Sequence, residues 1–329
     1  MGQQARYEVL VTFPAFDVHD PESAGLLKGA ELDVRYAPKH GLRTPADVRT
    51  LVADAVGAIA SDDPFDRSVI ESAAGLRIIA RTGVGTDSID LAAATEKGIV
   101  VTTTPGLNEE TVADHTMALI LGAVRRVVEH DASMRQGKWD RVGALTPWDL
   151  HGITAGIVGL GAIGQAVARR LHGFDTRVIA TDPVVSPGSV PDVTMVDLGE
   201  LLETADIVSL HVPLRESTKA MIGHRELARM RPNAILINTS RGGVIDEHAL
   251  VDALVAGQLR VAALDVFETE PPTSSRLLEL PNVILTPHIA GLSVKSSRAV
   301  IRQAAQSVVD LFQGRTPHGV VNPAALERR

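Results

Sequence analysis

Three residues far apart in the chain have side chains suited to one kind of chemistry. Arg241 stands in Ser240-Arg-Gly-Gly243, Glu270 precedes Pro271-Pro272, and His288 follows Thr286-Pro287. A guanidinium grips a carboxylate with two parallel hydrogen bonds. An imidazole titrates near neutral pH and can give or take a hydroxyl proton. A carboxylate beside the imidazole fixes its tautomer and stabilises the imidazolium. Taken singly the residues say less. An Arg in a turn can serve a surface ion pair, a Glu before Pro is usually solvated, and the chain holds eleven His. Together they fit proton-coupled hydride transfer on a small acid, with a cofactor carrying the hydride.

A place for such a cofactor lies between Gly152 and Asp182. The apolar burst Ile153–Val158 reads as a buried strand, and it runs into Gly159-Leu-Gly161-Ala162-Ile163-Gly164. Ala166, Val167, Ala168 and Leu171 then mark a helix face, and a second strand, Val178–Ala180, leads to Asp182. Strand, glycine turn, helix, strand and acid follow in the order a dinucleotide needs. Gly159 allows the tight turn, Gly161 lets backbone approach a pyrophosphate, and Gly164 lets helix pack on strand. The diphosphate would sit at the helix N-terminus. Asp182 would accept a ribose 2′-hydroxyl and repel a 2′-phosphate, which favours NAD over NADP. The competing readings are a purely structural glycine turn and a site for a nucleoside-type methyl donor. The second leaves Arg241 and His288 idle.

These residues need elements to place them. Strands fit Tyr7–Phe13, Leu32–Tyr36, Ala55–Ala60, Leu76–Ala80 and Ile99–Val101, and beyond Asp182 they fit Ile207–Val212, Ala234–Asn238, Val261–Val266 and Val283–Leu285. Helical stretches alternate with them, which means βαβ units and parallel sheets. Polar residues close the later strands: Asp182, His211, Thr239 to Arg241, Asp265 and His288. Ligands of open α/β sheets bind outside those strand ends. The turn Thr82-Gly-Val84-Gly85-Thr-Asp87 could cradle a carboxylate on its backbone N–H groups, or be a tight turn and nothing more. Asn108 is placed to cap a helix whose apolar periodicity runs on to about Met134. On it Asp114 and His115 are expected to make structural hydrogen bonds. A helix of that length can carry a hinge or a subunit contact, and a homodimer is expected.

At 329 residues two domains sharing one cleft are the prior. A net charge of −8 argues against nucleic acid or an anionic membrane as partner. With no cysteine there is no disulfide, thiolate metal site or cysteine nucleophile, and no metal is expected. Neither a secretory signal nor a membrane-spanning apolar run is legible, so a cytoplasmic enzyme or binding protein is expected.

The motifs Gly156-Ile-Val-Gly-Leu-Gly-Ala-Ile-Gly164, His211-Val-Pro-Leu, Ile237-Asn-Thr-Ser-Arg-Gly-Gly-Val-Ile-Asp246, Ala263-Leu-Asp-Val-Phe-Glu-Thr-Glu-Pro271 and Thr286-Pro-His-Ile-Ala-Gly291 resemble those of the D-isomer-specific 2-hydroxyacid dehydrogenases of phosphoglycerate dehydrogenase type. The resemblance covers almost the whole chain. It implies an α/β fold of two doubly wound parallel-sheet domains, with a Rossmann NAD-binding domain (103–290) inserted in a flavodoxin-like substrate-binding domain (1–102 and 291–329). It implies that Arg241, Glu270 and His288 are catalytic. It further places Gly159, Gly161, Ala162, Ile163, Gly164, Asp182, Val212, Thr239, Asp265 and Gly291 at the cofactor, and Val84, Gly85 and Asn108 at a small 2-hydroxy or 2-keto acid. Two departures narrow the reading. Where phosphoglycerate dehydrogenases carry an Arg for the substrate phosphate, alignment on Asp66 puts Ala60, followed by Asp62 and Asp63, so an unphosphorylated substrate is expected. The chain also ends after the returning helix, so no serine-sensing regulatory domain is expected. The alternatives are phosphoglycerate dehydrogenase proper and an NAD-sensing corepressor-like binding protein, which keeps the same Arg, Glu and His.

Overall fold

Every residue of β1 (Tyr7–Val11) points to one face of a sheet or the other, and both faces are covered. Val9 and Val11 pack with Val300, Ala304 and Val308 of the last helix, whereas Leu10 packs with Val48, Val52 and Val69 on the opposite side. That two-sided burial is why central strands such as Gly57–Ala60 and Ala234–Asn238 read as nearly unbroken apolar runs. The computed structural model describes residues 7–18, 20–38, 43–143 and 146–328. It separates into two units, Met1–Asn108 with Ser293–Arg329, and Glu109–Leu292.

In the first unit β1 is followed by α1 (Ala24–Gly29), β2 (Leu32–Tyr36), α2 (Pro45–Val52), β3 (Gly57–Ala60), α3 (Arg67–Ser72), β4 (Ile78–Arg81), α4 (Leu91–Glu96) and β5 (Val100–Thr102). All pairs are parallel, in the order β2-β1-β3-β4-β5.

The second unit holds α5 (Glu109–Arg125), α6 (Val127–Arg135), β6 (Thr154–Val158), α7 (Ala162–His172), β7 (Arg177–Thr181), β8 (Val193–Met195), α8 (Leu198–Thr204), β9 (Ile207–Leu210), α9 (His224–Arg229), β10 (Ala234–Asn238), α10 (Glu247–Val255), β11 (Leu259–Leu264) and β12 (Val283–Leu285). Its parallel sheet runs β12-β11-β10-β9-β6-β7-β8. Consecutive halves wind outward from β6, so the strand order reverses between β6 and β9, where doubly wound folds bind ligands. One face carries α5 and α7, with Ala113, Met117, Ile120, Val167 and Leu171 against Ile157, Ile207 and Ile237. The other carries α8, α9 and α10, with Leu201, Leu227 and Leu250 against Val208, Leu236 and Leu264. The chain then returns to the first unit as α11 (Val294–Phe312).

Three local readings change. The helix expected from Asn108 to Met134 is two helices, because Arg126 adopts φ 53° between α5 and α6. A residue with positive φ cannot continue a right-handed helix. The six-residue α4, capped by Asp90 accepting from the Ala93 N–H, and the edge strand β8 were not expected. Both are short, and their apolar content is too small to show a period.

Candidate active site

Two glycines of the dinucleotide motif are required by packing. Gly159 has φ +93°, and a Cβ there would lie 2.8 Å from the backbone carbonyl atoms of His211. A Cβ on Gly164 would lie 2.2 Å from the Gly159 carbonyl oxygen, so any side chain would push α7 off the turn. Gly161 differs. Nothing lies within 4 Å of where its Cβ would be, and as N-cap of α7 it has no side chain to satisfy the helix N–H groups. The protein gains nothing from a glycine there, but a diphosphate approaching backbone does. Ala162 and Ile163 form the first turn behind it.

Asp182 closes β7, and its carboxylate is well used. Oδ2 accepts from Leu160 N–H at 2.8 Å, and Oδ1 accepts from Val184 at 2.8 Å and Val185 at 3.0 Å. Burial raises the pKa of the carboxyl, but these backbone donors outweigh it and hold the group below 3.8. A carboxylate has about four acceptor sites, so three backbone bonds leave room for a hydroxyl. These groups fit a dinucleotide: an open helix N-terminus, a turn without side chains, and an anchored acid. His211, beyond β9, faces Ser209 Oγ through Nε2 at 2.9 Å. Burial pushes its pKa down to about 4, so the ring is neutral at neutral pH. Val212 lies beside it, with Cγ1 within 2.9 Å of where a Gly159 Cβ would stand.

The three residues singled out for chemistry lie beyond the ends of β10, β11 and β12. His288 and Glu270 meet: the imidazole Nδ1 donates to Glu270 Oε2 at 2.7 Å, and Phe267 N–H donates to Glu270 Oε1 at 3.1 Å. Nδ1 is therefore committed to Glu270. His288 has φ +53°, a backbone state a non-glycine side chain adopts only when its surroundings enforce it. Asp265 does so. Wholly buried, it accepts Ile289 N–H on Oδ1 at 2.9 Å, Ala290 N–H on Oδ2 at 2.8 Å and the Thr286 hydroxyl on Oδ1 at 2.6 Å, and its carbonyl accepts His288 N–H at 2.8 Å. Gly291 follows this clamped turn.

Arg241 sits in the turn after β10. Asn238 Nδ2 donates to the Arg241 carbonyl at 3.0 Å, and Asn238 Oδ1 accepts from Ser240 N–H and Oγ. Arg241 Nη1 donates to the Ser240 carbonyl at 2.8 Å. A Cβ on Gly242 would lie 1.8 Å from the Phe267 carbonyl carbon, so the Arg241 turn packs directly on the backbone that leads to Glu270. Thr239 Oγ1 pairs with Thr116 Oγ1 of α5 at 2.9 Å.

The sequence-read residues thus divide. Arg241, Glu270, His288, Thr239, Asp265, Gly291, Val212, Asp182 and the glycine turn all lie at strand C-termini of one sheet. Val84, Gly85 and Asn108 belong to the first unit. Sequence reading passed over Asn238, Thr286 and Glu247, whose carboxylate accepts Glu268 N–H at 2.5 Å and Ser275 Oγ at 3.3 Å and so shapes the Glu270 loop. An Asn two residues before Ser240-Arg-Gly-Gly243 is a turn signal, whereas nothing local marks Glu247. Among the described residues no group of three or more His, Cys, Asp or Glu could hold a metal ion, and no helix is long and apolar enough to cross a membrane.

Comparison with known proteins shows the family of the chain. Residues 117–290 match the D-isomer specific 2-hydroxyacid dehydrogenase, NAD binding domain. A glyoxylate reductase of Korarchaeum cryptofilum is 45% identical over 81% of this chain and 82% of its own. A D-3-phosphoglycerate dehydrogenase of Methanocaldococcus jannaschii is 42% identical over 96% of this chain but only 59% of its own. Among solved structures, a D-lactate dehydrogenase of Aquifex aeolicus complexed with NAD and lactic acid superposes with a TM-score of 0.85 at 29% identity, covering 96% of this chain and 99% of that one. The chain belongs to the D-isomer-specific 2-hydroxyacid dehydrogenases. It is an NAD-dependent oxidoreductase that interconverts a 2-hydroxy acid and its 2-keto acid.

Proposed function

We propose that this enzyme reduces a small, unphosphorylated 2-keto acid, with His288 as the acid, Glu270 as its partner and Arg241 as the carboxylate-binding group. The 2.7 Å contact between His288 Nδ1 and Glu270 Oε2 carries the catalytic part of this reading. NADH, when bound, supplies the hydride. His288 donates its Nε2 proton to the carbonyl oxygen as that oxygen becomes a hydroxyl, and Glu270 stabilises the imidazolium beforehand. Arg241 orients the substrate carboxylate and polarises the neighbouring carbonyl. Gly159, Gly161, Ala162, Ile163 and Gly164 take the diphosphate and Asp182 the adenosine ribose. Val212, Thr239 and Gly291 line the rest of the cofactor's path, and Asp265, wholly buried, serves it from beneath by holding residues 286–290. The unit Glu109–Leu292 is assigned to the cofactor. The first unit is assigned to the substrate, through Val84, Gly85 and Asn108.

The absence of a phosphate on the substrate is supported by the first unit. Ala60, at the end of β3, is buried and offers no charge. The arginines near it already face acids: Arg81 Nη2 meets Asp62 Oδ1 at 2.6 Å and Arg43 Nη1 meets Asp63 Oδ1 at 2.8 Å. Arg67, on α3, pairs with Glu96 at 2.8 Å. A phosphoryl dianion needs a cationic partner, and these cations are matched. The glyoxylate reductase relative points the same way, and the phosphoglycerate dehydrogenase relative points against it. Steady-state kinetics with NADH decides: glyoxylate, hydroxypyruvate or a short alkyl keto acid should show higher kcat/KM than 3-phosphohydroxypyruvate. A tenfold advantage for the phosphorylated acid, about 1.4 kcal/mol, would overturn the reading.

A homodimer in the cytoplasm completes the proposal. α6 buries none of its residues, and Val127, Val128 and Met134 on it, with Trp139 and Val142 beyond, are exposed. An apolar patch of that kind marks an interaction surface. Light scattering should return twice the chain mass.

A further inference from the structure

The helix α5 supplies two consecutive residues to the reactive strand ends. Thr116 reaches Thr239, at the end of β10. His115 reaches Thr286, at the end of β12, with Nε2 3.0 Å from Oγ1. The Thr286 hydroxyl has one proton, and the 2.6 Å contact with Asp265 Oδ1 takes it. Thr286 can therefore only accept from His115, so Nε2 of His115 carries a proton and donates it. The same nitrogen lies 3.6 Å from Asp265 Oδ1. A line of polar contacts thus runs from α5 through Thr286 to the buried carboxylate that clamps residues 286–290 around His288.

We propose that His115 is a positioning residue for the reduction, acting through Thr286 and Asp265 on the turn that displays His288. The inference rests on the reading of His288 as the acid. The turn needs such support because His288 is held at φ +53°, and a non-glycine residue keeps that conformation only while its neighbours over-determine it. Asp265 is wholly buried and accepts three donors from residues 286, 289 and 290. If the Thr286 hydroxyl turns away, Asp265 loses a donor and the turn one of its ties. The Nε2–H of His115 fixes that hydroxyl's direction. Displacing a catalytic group by a fraction of an ångström costs rate more than binding.

The test is a set of variants assayed with NADH and the best keto acid. His115→Leu removes the donor and keeps an apolar side chain on α5. It should lower kcat about tenfold, with KM and the NADH dissociation constant, read by fluorescence titration, within about twofold of wild type. His115→Gln can place an amide N–H near the Nε2 position and should recover most of the lost kcat. Thr286→Val, equal in shape but without the hydroxyl, should reproduce the His115→Leu loss. Unchanged kcat in a folded His115→Leu overturns the proposal. So does a Gln variant as slow as the Leu variant, since packing rather than the donor would then matter, and so does a loss confined to NADH binding. Imidazole ¹⁵N spectra give a readout independent of turnover: the His288 resonances, assigned by their absence in His288→Asn, should shift in His115→Leu. If the wild-type enzyme reduced no keto acid, the catalytic reading would fail while these spectra still decided whether His115 places His288. Unmoved resonances overturn the inference.

Discussion

Both units carry carboxylates at the C-terminal ends of parallel strands, but they use them differently. In the first unit Asp62 and Asp63 face guanidinium groups, Arg81 at 2.6 Å and Arg43 at 2.8 Å, and Thr12 Oγ1 adds a bond to Asp63. In the second, Asp182 and Asp265 accept backbone N–H groups and a hydroxyl, and Glu270 accepts a backbone N–H and an imidazole N–H. The first use cancels charge, so Arg81 and Arg43 offer little to a phosphoryl group. The second leaves the charge in place and makes it shape turns. An acid that neutralises an arginine governs mainly that arginine's charge, whereas an acid that shapes a turn sets where other groups stand.

The largest expected effect breaks the second pattern at its reactive end. His288→Ala should lower kcat by about 10²–10⁴, while NADH still binds, as fluorescence titration will show. Glu270→Gln leaves a neutral acceptor opposite His288 Nδ1, so the charged imidazole needed for reduction loses its counter-charge. The fall of reduction rate with rising pH should then begin at lower pH than in wild type. A pH–rate profile that coincides with wild type would remove Glu270 from its role. Arg241→Lys keeps the charge but loses the planar fork, and lower kcat/KM for every keto acid is expected.

A smaller effect is expected at Asp182, where one carboxylate shapes the glycine turn and is proposed to meet the adenosine ribose. Asp182→Ser should narrow the preference for NAD over NADP, measured as the ratio of kcat/KM values. It should also destabilise the fold, by about 1–3 kcal/mol, because the N–H groups of Leu160, Val184 and Val185 lose a charged acceptor. The pH dependence follows from the direction of the shift. The folded-state pKa lies below 3.8, so the wild-type carboxylate contributes its full stability above about 3.8, and that contribution is lost as pH falls through the folded value. Denaturation midpoints of wild type and Asp182→Ser should converge there. Equal wild-type efficiency with the two cofactors would break the assignment.

The contrast also separates what was legible in the sequence from what was not. Buried strands such as Ile207–Leu210 and Ala234–Asn238 were readable because both faces of the sheet are covered, which makes each strand an apolar run bounded by polar residues. The glycine turn was readable because three backbone demands fall on three fixed positions. Arg241, Glu270 and His288 were readable as residue types at strand ends. The way Asp265 holds His288 was not, since it depends on how β11 and β12 lie side by side, Leu264 opposite Leu285, and no local pattern encodes that register. The break at Arg126 was hidden for another reason. Val127 and Val128 extend the apolar period of α5, yet α6 buries nothing, so the pattern continues where the helix does not. His115 was expected to make a structural hydrogen bond, and its partner Thr286 lies on the turn that carries His288.

The smallest expected effect sharpens the comparison from the side of the first unit. Arg81 lies beneath the loop that starts at Gly83, close enough that a Cβ on Gly83 would fall 2.1 Å from Arg81 Nη1. Its side chain is 6% exposed, and that of Asp62, which faces it, is 48% exposed. Removing the acid outright would leave a buried cation poorly matched, which is costly. Asp62→Asn keeps an oxygen in reach of the guanidinium and deletes only the charge. If acids matched to arginines are what turn a phosphoryl group away, this variant should raise kcat/KM for 3-phosphohydroxypyruvate relative to hydroxypyruvate, by about tenfold at most, equivalent to about 1.4 kcal/mol. The effect should shrink with added salt, because Asp62 is in contact with solvent and its field is screened there. Val84 and Gly85 offer only backbone to an α-carboxylate, so kcat/KM for unphosphorylated acids should change little. An unaltered ratio would mean that the neutralised arginines do not discriminate, and that the uncharged Ala60 position alone excludes the phosphate.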